Sequence, residues 1–391
     1  MAVPTHESIR GWMQRVGLGR VRGAKKRNGG TWLVDHTNQI GKEKVLTILR
    51  VRSFPPAGVA LRHQDVEVLA TIPGKEWKRE DVARSYLKVA KLYGTPHAVV
   101  TDGAVELREP VEMLGKPGKR PLVFRDPKHF LANRLESLLK RDSNYEAFTQ
   151  KIGRSRSALQ QTELAHFIPP AFKQKTRFMN LERTIEWAAA VLWHLDHPES
   201  LSRKEISVER MEEKLGWVRD FAPSISQWQE CQTVISTTLT FLNQQGIFAG
   251  VVKEYQKVIA GSANSPASQQ LVKDTKALLC EYQKKLQPNE RLRISTEILE
   301  SAFSLYKQLE QQHSKSGFTS LLLTFPTLLC ETTAKEVTEC FARVKVADVK
   351  AWAKEHLPNT LASQRQRVFR EAKRKTKSKT EKRATPLRQA A

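Results

Sequence analysis

The sequence predicts an α/β fold with a mixed sheet, a large all-helical insertion and a helical C-terminal part. Between residues 31 and 128, short runs rich in Val, Ile, Leu and Thr are bounded by Gly or Pro, which is typical of strands. Beyond residue 128 these runs stop, and apolar residues recur at helical spacing. The chain has 391 residues, of which 40% are apolar. That length and composition predict two or three globular domains.

A short helix is predicted at residues 6–16, because Ile9, Trp12 and Val16 recur at helical spacing. A Gly- and Arg-rich strip follows as far as residue 30. Its basic side chains are candidates for DNA binding, in particular Arg20, Arg22, Lys25 and Lys26. Residues 1–30 are therefore predicted to be a partial helical DNA-binding segment with a basic linker, or else an N-terminal arm that packs on the next domain.

Five strands are predicted in residues 31–150, with one helix between the third and fourth strands and another after the fifth. The strand runs are TWLVDHT from Thr31, KVLTILRVRS from Lys44, DVEVLATIPG from Asp65, PHAVVTDG from Pro96 and KRPLVFRDP from Lys119. Between the third and fourth runs, Val82, Tyr86 and Val89 recur at helical spacing, and Gly94 closes the helix. This order of elements fits an RNase H-like mixed sheet, of which residues 31–150 would form the first part.

The remainder of the chain is predicted to be helical. Residues 151–290 form the insertion domain, and residues 291–360 complete the core and add C-terminal helices. A helix at residues 295–313 has an apolar stripe of Ile298, Ala302, Leu305 and Leu309. A capping box of Thr333 and Glu336 predicts the start of a later helix.

The charge predicts a polyanionic partner. The formal net charge is +24, and residues 365–391 alone hold 11 Lys and Arg against two Glu. Residues 361–391 are predicted to be a basic, disordered tail, while the remaining positive charge belongs to the folded part.

Cysteine usage and hydropathy exclude some classes of protein. The four cysteines form no Cys-x-x-Cys pair, so the sequence indicates neither a zinc ribbon nor a disulfide framework. The longest apolar stretches fall short of the roughly 18 residues that a membrane-spanning helix needs, and the N-terminal residues lack a secretory signal pattern. A cytoplasmic protein without a membrane partner is expected.

Two aspartates are placed to hold metal ions. Asp35 ends the first predicted strand and Asp102 ends the fourth. In an RNase H-like sheet these two strands are neighbours, so the carboxylates would meet at one edge. Paired carboxylates suit two Mg²⁺ ions, which stabilise the attacking and leaving oxygens of a phosphoryl transfer.

A third carboxylate is expected from a later helix. Glu300 is the candidate, with Lys307 two turns further along the same face. A single Asp at a strand end is more often a turn residue, and a Glu and Lys face is more often solvated surface. The joint placement of Asp35, Asp102 and Glu300 in the expected elements favours the metal site.

These motifs resemble the DDE transposases of bacterial insertion sequences, which belong to the retroviral-integrase superfamily. The resemblance rests on Asp35 in WLVDHT, Asp102 in AVVTDG and the segment ILESAFSLYK that contains Glu300, and it covers roughly residues 6–360. In one branch of these enzymes a Lys follows the catalytic Glu by seven positions, as Lys307 does here. That branch also has an Arg four positions before the Glu, where this chain has Thr296.

The resemblance implies DNA transposition, a form of DNA recombination. Asp35, Asp102 and Glu300 would be the catalytic and metal-binding residues, and two Mg²⁺ (or Mn²⁺) ions would be the cofactors of strand cleavage and strand transfer. The partners would be the double-stranded DNA of the element ends and the target, bound by a homodimer. Lys307 would contact a DNA phosphate, and the protein would be associated with the nucleoid in the bacterial cytoplasm.

Members with a helical domain inserted before the catalytic Glu often have an Asp-x-x-His after the last strand. Here DPKH supplies Asp126 and His129. The pair would support the site, with His129 contacting DNA, although it can equally be a helix cap.

Two other functions fit the same residues. One is an RNase H-like, structure-selective nuclease that cuts DNA without joining it. The other is an inactive remnant of a transposase that only binds DNA. The DNA that flanks the gene discriminates them best, since inverted repeats and a short target duplication are expected only of a transposable element.

Overall fold

A computed structural model describes residues 3–40, 43–74, 76–171, 181–202, 206–311, 320–357 and 368–372. The chain divides into two compact units. One, the sheet unit, comprises Met1–Phe54, Leu61–Val123 and Thr296–Ala391. The other, the helical unit, comprises Pro55–Ala60 and Phe124–Ser295. The insertion domain predicted at residues 151–290 lies within the helical unit.

The first helix of the sheet unit, α1, runs from His6 to Gly23 and is longer than the helix predicted at residues 6–16. The prediction of a linker from residue 17 is wrong because the glycines serve helix packing. A Cβ on Gly17 would meet the carbonyl oxygen of Leu323, and one on Gly19 would lie 2.7 Å from the Cβ of Cys340. Residues 17–23 therefore stay helical and pack closely on the C-terminal segments of the same unit.

The predicted α/β class with a mixed sheet is confirmed. All five strand runs form strands: β1 (Thr31–Ile40), β2 (Glu43–Val51), β3 (Val66–Gly74), β4 (Ala98–Thr101) and β5 (Leu122–Arg125). Their spatial order is β3-β2-β1-β4-β5. β1 and β2 pair antiparallel, as do β2 and β3, whereas β1 and β4 pair parallel.

One face of the sheet packs on α2 (Arg79–Tyr93), the helix predicted between the third and fourth strands. Trp32 and Val34 of β1 form a core with Tyr86 and other apolar residues of α2. The Tyr86 hydroxyl donates to the Leu107 carbonyl at 2.9 Å, which joins α2 to the short helix α3 (Val105–Arg108).

The helical unit is built from amphipathic helices, as predicted. They are α4 (Pro127–Leu139), α5 (Ser143–Leu159), α6 (Leu181–Asp196), α7 (Glu199–Ser202), α8 (Val208–Leu215), α9 (Ala222–Gln245), α10 (Val251–Val258) and α11 (Pro266–Gln283). The all-helical description is wrong in one detail, because β6 (Ile247–Phe248) and β7 (Arg291–Leu292) pair antiparallel. Phe148 lies at the core, with the rings of Phe221 and Trp228 within 5.3 Å of its centroid.

After this unit the chain forms α12 (Glu297–Gln311), a 3₁₀ helix (Ser320–Leu328), α13 (Ala334–Arg343) and α14 (Val346–His356). The predicted start of α13 is confirmed, since the Thr333 side chain accepts from the Glu336 N–H at 3.2 Å. The predicted stripe of α12 is wrong at Leu305, which is 39% exposed. Phe303, which the sequence also places in this stripe, is buried and stacks on Phe325 with the ring centroids 4.3 Å apart.

Within the described ranges, no helix is both long and apolar enough to cross a bilayer. Of the predicted basic tail at 361–391, only residues 368–372 are described, and they are helical. The rest of the tail lies outside the described residues.

Candidate active site

Asp35 lies in the middle of β1, not at its end as predicted, because β1 continues to Ile40. Its partner across β2 is Thr47. Since Trp32 and Val34 face α2 and side chains alternate along a strand, Asp35 points to the opposite face of the sheet. It is only 8% exposed there.

Asp102 directly follows β4. The parallel pairing joins Thr31 to Ala98 and Leu33 to Val100, and the same offset places Asp102 level with Asp35 on the neighbouring strand. Asp102 Oδ1 accepts from the Ala104 N–H at 2.8 Å, so the carboxylate is fixed at the turn where β4 ends. Asp102 lies one residue beyond the end of β4, and its charge acts on Tyr86 of α2 and on His36.

Glu300 lies in the first turn of α12 and is half-buried. Among the described residues, α12 packs on β1 and contributes nothing to the core on the α2 side. It therefore lies on the face of the sheet that carries Asp35. Lys307 follows two turns later with an exposed side chain.

The fit of these residues to a metal site is partial. Carboxylate oxygens are the ligands that Mg²⁺ prefers, and Asp35 in β1 and Asp102 just after β4 each carry a carboxylate. Yet within the part of the chain that the structure describes, no three His, Cys, Asp or Glu side chains are close enough to hold a metal ion. Glu300 thus lies on the face of the sheet that carries Asp35, and its role as third carboxylate stays a prediction.

Sequence reasoning missed His36, which neighbours Asp35 and faces α2. Its ring stacks on Trp77 with centroids 5.5 Å apart. Burial lowers the pKa of His36 to about 4, against the opposing effect of the nearby carboxylates of Glu106 and Asp102. His36 is therefore neutral at physiological pH. The signals were the Asp-His pair in WLVDHT and the acid at Glu106, one helical turn past Asp102.

Asp126 and His129 belong to the helical unit. Asp126 is the N-cap of α4, and its Oδ1 accepts from the His129 N–H at 3.0 Å. The His129 Nδ1 lies 3.2 Å from the same oxygen. The helix-cap alternative accounts for this geometry, while support of the site by Asp126 and DNA contact by His129 stay predictions.

The basic residues near the end of α1 fall into two groups. Arg20 forms two hydrogen bonds of 2.8 Å with the Glu336 carboxylate and also donates to the carbonyl of Pro326. The hydrogen bond from Arg20 holds the pKa of Glu336 below its ordinary value. Arg22 pairs with Asp348 at 2.9 Å.

Lys25 and Lys26 follow α1 and are exposed. Arg20 and Arg22 therefore connect α1 to α13 and α14, which favours the packing-arm interpretation of this segment. The two lysines remain better placed for DNA.

Loss of Arg20 is expected to destabilise the fold more than loss of Arg22. Arg20→Gln should lower the free energy of unfolding by about 3 kcal/mol, because the half-buried Glu336 loses its partner. Arg22→Gln, the matched control, should cost at most about 1 kcal/mol, since its ion pair is solvent-exposed. Urea denaturation measures both. If Arg20 instead contacts DNA, the Arg20→Gln variant should keep its stability, and its DNA affinity should depend less on salt.

Comparison with known proteins does not assign this chain to a family. No protein-family model matches the sequence, and no curated protein is detectably similar to it.

Proposed function

We propose that this chain is a DDE-type DNA transposase that catalyses Mg²⁺-dependent DNA strand cleavage and strand transfer. The observation that carries the proposal is the register of β1 and β4, which pairs Leu33 with Val100 and so supports a position of Asp102 level with Asp35. The strand order β3-β2-β1-β4-β5 supports an RNase H-like sheet, and α12 brings Glu300 to the face of Asp35. The net charge of +24 supports DNA as the substrate.

In this proposal Asp35, Asp102 and Glu300 hold two Mg²⁺ or Mn²⁺ ions. Bound there, the ions would stabilise the negative charge on the attacking and leaving oxygens of an in-line displacement. The chain contributes three carboxylates whose charge attracts the cations, and Lys307, whose ammonium group would neutralise a DNA phosphate beside them. The nucleophile would be water in cleavage and a DNA 3′-hydroxyl in joining.

The proposed partners follow from this chemistry. The substrate is double-stranded DNA, both the element ends and the target, and a homodimer would hold the two ends together. The exposed Lys25 and Lys26 would contact DNA outside the carboxylates. A nucleoid-associated protein of the bacterial cytoplasm is the corresponding location.

A joining assay tests the proposal. The purified chain is incubated in Mg²⁺ with a supercoiled plasmid and a labelled duplex whose ends are taken from the DNA flanking its gene. We expect label to become covalently attached to the plasmid. Nicking without joining would instead identify a nuclease, and binding without either reaction would identify an inactive DNA-binding protein.

A further inference from the structure

A cleft of about 410 Å³ in the sheet unit lies between the end of α1, the edge strand β3 and α13. Half of the residues that line it are charged. They include Lys25, Arg27, Arg52, Glu67, Glu336 and Arg343. None of the metal-site candidates lines this cleft, so it is a feature separate from the carboxylates.

Two of the three acids that line the cleft are paired with arginines. Glu67 pairs at 2.7 Å with Arg50, whose side chain is 4% exposed. Glu336 pairs at 2.8 Å with Arg20. These two pairs add little net charge to the cleft, because each carboxylate faces a guanidinium at contact distance.

The remaining cations of the cleft are Lys25, Arg27, Arg52 and Arg343. Among the described residues, no carboxylate lies within 4.0 Å of the side-chain nitrogens of Lys25, Arg27 or Arg52. Arg343 donates to a backbone carbonyl, that of Gly19, at 2.9 Å. Against these four cations stands the exposed carboxylate of Glu339. The cleft is therefore electropositive.

The backbone that carries these cations is fixed. Arg50 donates to the carbonyls of Lys25 and Tyr93, both at 2.8 Å, and the Arg27 N–H donates to the same Tyr93 carbonyl at 2.9 Å. The Arg52 N–H donates to the Asp65 carbonyl at 2.7 Å. Cations on an anchored backbone lose less freedom when they bind a ligand, which is typical of a preformed binding site.

We propose that this cleft binds phosphate groups of the backbone of duplex DNA, with Arg27 and Arg52 as the principal contacts. Guanidinium groups suit phosphate oxygens, because their N–H donors are arranged to bind two oxygens at once. The proposal rests on the proposed function in taking DNA as the polyanion. It adds two arginines to the DNA contacts and separates them from the structural Arg20.

The salt dependence of DNA affinity tests the cleft. Arg27→Gln/Arg52→Gln is prepared in an Asp35→Asn background, so that binding is measured without cleavage, and anisotropy of a labelled duplex gives the affinity from 50 to 300 mM KCl. The plot of log affinity against log salt should become shallower by about 2, since each lost phosphate contact removes roughly 0.9 from the slope. Arg27→Lys/Arg52→Lys should keep most of the slope.

The matched control is Lys116→Gln/Lys119→Gln. It removes the same charge from an exposed loop just before β5, at the other edge of the sheet, and should change the slope by less than half as much. Thermal melts confirm that all variants fold. A slope change no larger than that of the control would overturn the proposal.

Inorganic phosphate distinguishes the alternative source of the anion. Phosphate at constant ionic strength could raise the melting temperature of the wild type but not of the double variant. If, at the same time, both proteins show the same salt dependence of DNA affinity, the cleft binds free phosphate and the proposal fails. The binding measurement requires no cleavage. If the double variant has the shallower slope but the wild-type protein never joins DNA, the cleft is a DNA-binding site and the proposed transposase activity is rejected.

Discussion

Asp35→Asn and Asp102→Asn are each expected to abolish DNA cleavage in Mg²⁺, with the rate falling by roughly a thousandfold or more. Asparagine keeps the shape of the side chain and removes the charge that attracts the metal ions. Folding and DNA binding should persist, because neither side chain is proposed to contact DNA. Conversion of supercoiled plasmid to nicked product measures the rate, and anisotropy measures DNA affinity.

The control for this pair is Glu112→Gln. Glu112 is an exposed acid of the same unit whose surface ion pair with Arg120 has no proposed role, so its loss should leave cleavage unchanged. If Asp35→Asn or Asp102→Asn cleaves at nearly the wild-type rate, that aspartate does not belong to the site.

Glu300→Gln is also expected to lose cleavage, whereas Glu297→Gln should reduce it only modestly through the local charge. Both lie in the first turn of α12 and both are half-buried, so the pair is matched in position and in charge. Lys307 lies two turns after Glu300, close to the same helical face by the 100° rotation per residue. The same plasmid assay measures both rates. An inactive Glu297→Gln beside an active Glu300→Gln would show that Glu297 is the third carboxylate and would remove Lys307 from its proposed place at a phosphate.

The sequence predicted those parts of the fold that depend on residues close together in the chain. The five strands, the buried face of α2 with Tyr86 and the Thr333 cap of α13 each follow from spacing or from one side-chain hydrogen bond. The position of Asp102 at the end of β4 was predictable for the same reason. Its level placement with Asp35 needed only the right strand order.

The errors arose where distant segments decide the outcome. Gly17 and Gly19 appeared to mark a linker, but they allow α1 to approach residues more than 300 positions away in the chain. Arg20 was predicted to contact DNA because the sequence does not show which acid it meets in the fold. Its partner is Glu336, in the distant helix α13. Leu305 was placed in the apolar stripe by its spacing, but the buried face of α12 is centred on Leu299, Phe303 and Tyr306.

For the candidate site, sequence spacing chose carboxylates in β1, after β4 and in α12, and these choices stay predictions. The sequence could not give the distance between Glu300 and the aspartates. That distance depends on how α12 packs on β1. His36 was not singled out, because a single histidine within a strand produces no recurring spacing in the sequence.

The most direct test of the account is the location of Mn²⁺ in a crystal of the chain bound to DNA, by anomalous scattering at the manganese edge. We expect two manganese peaks within coordinating distance of Asp35 and Asp102, one of them also reached by Glu300, and the loss of both in Asp35→Asn. The absence of manganese from these carboxylates, at a Mn²⁺ concentration that supports cleavage by the same preparation, would contradict the account.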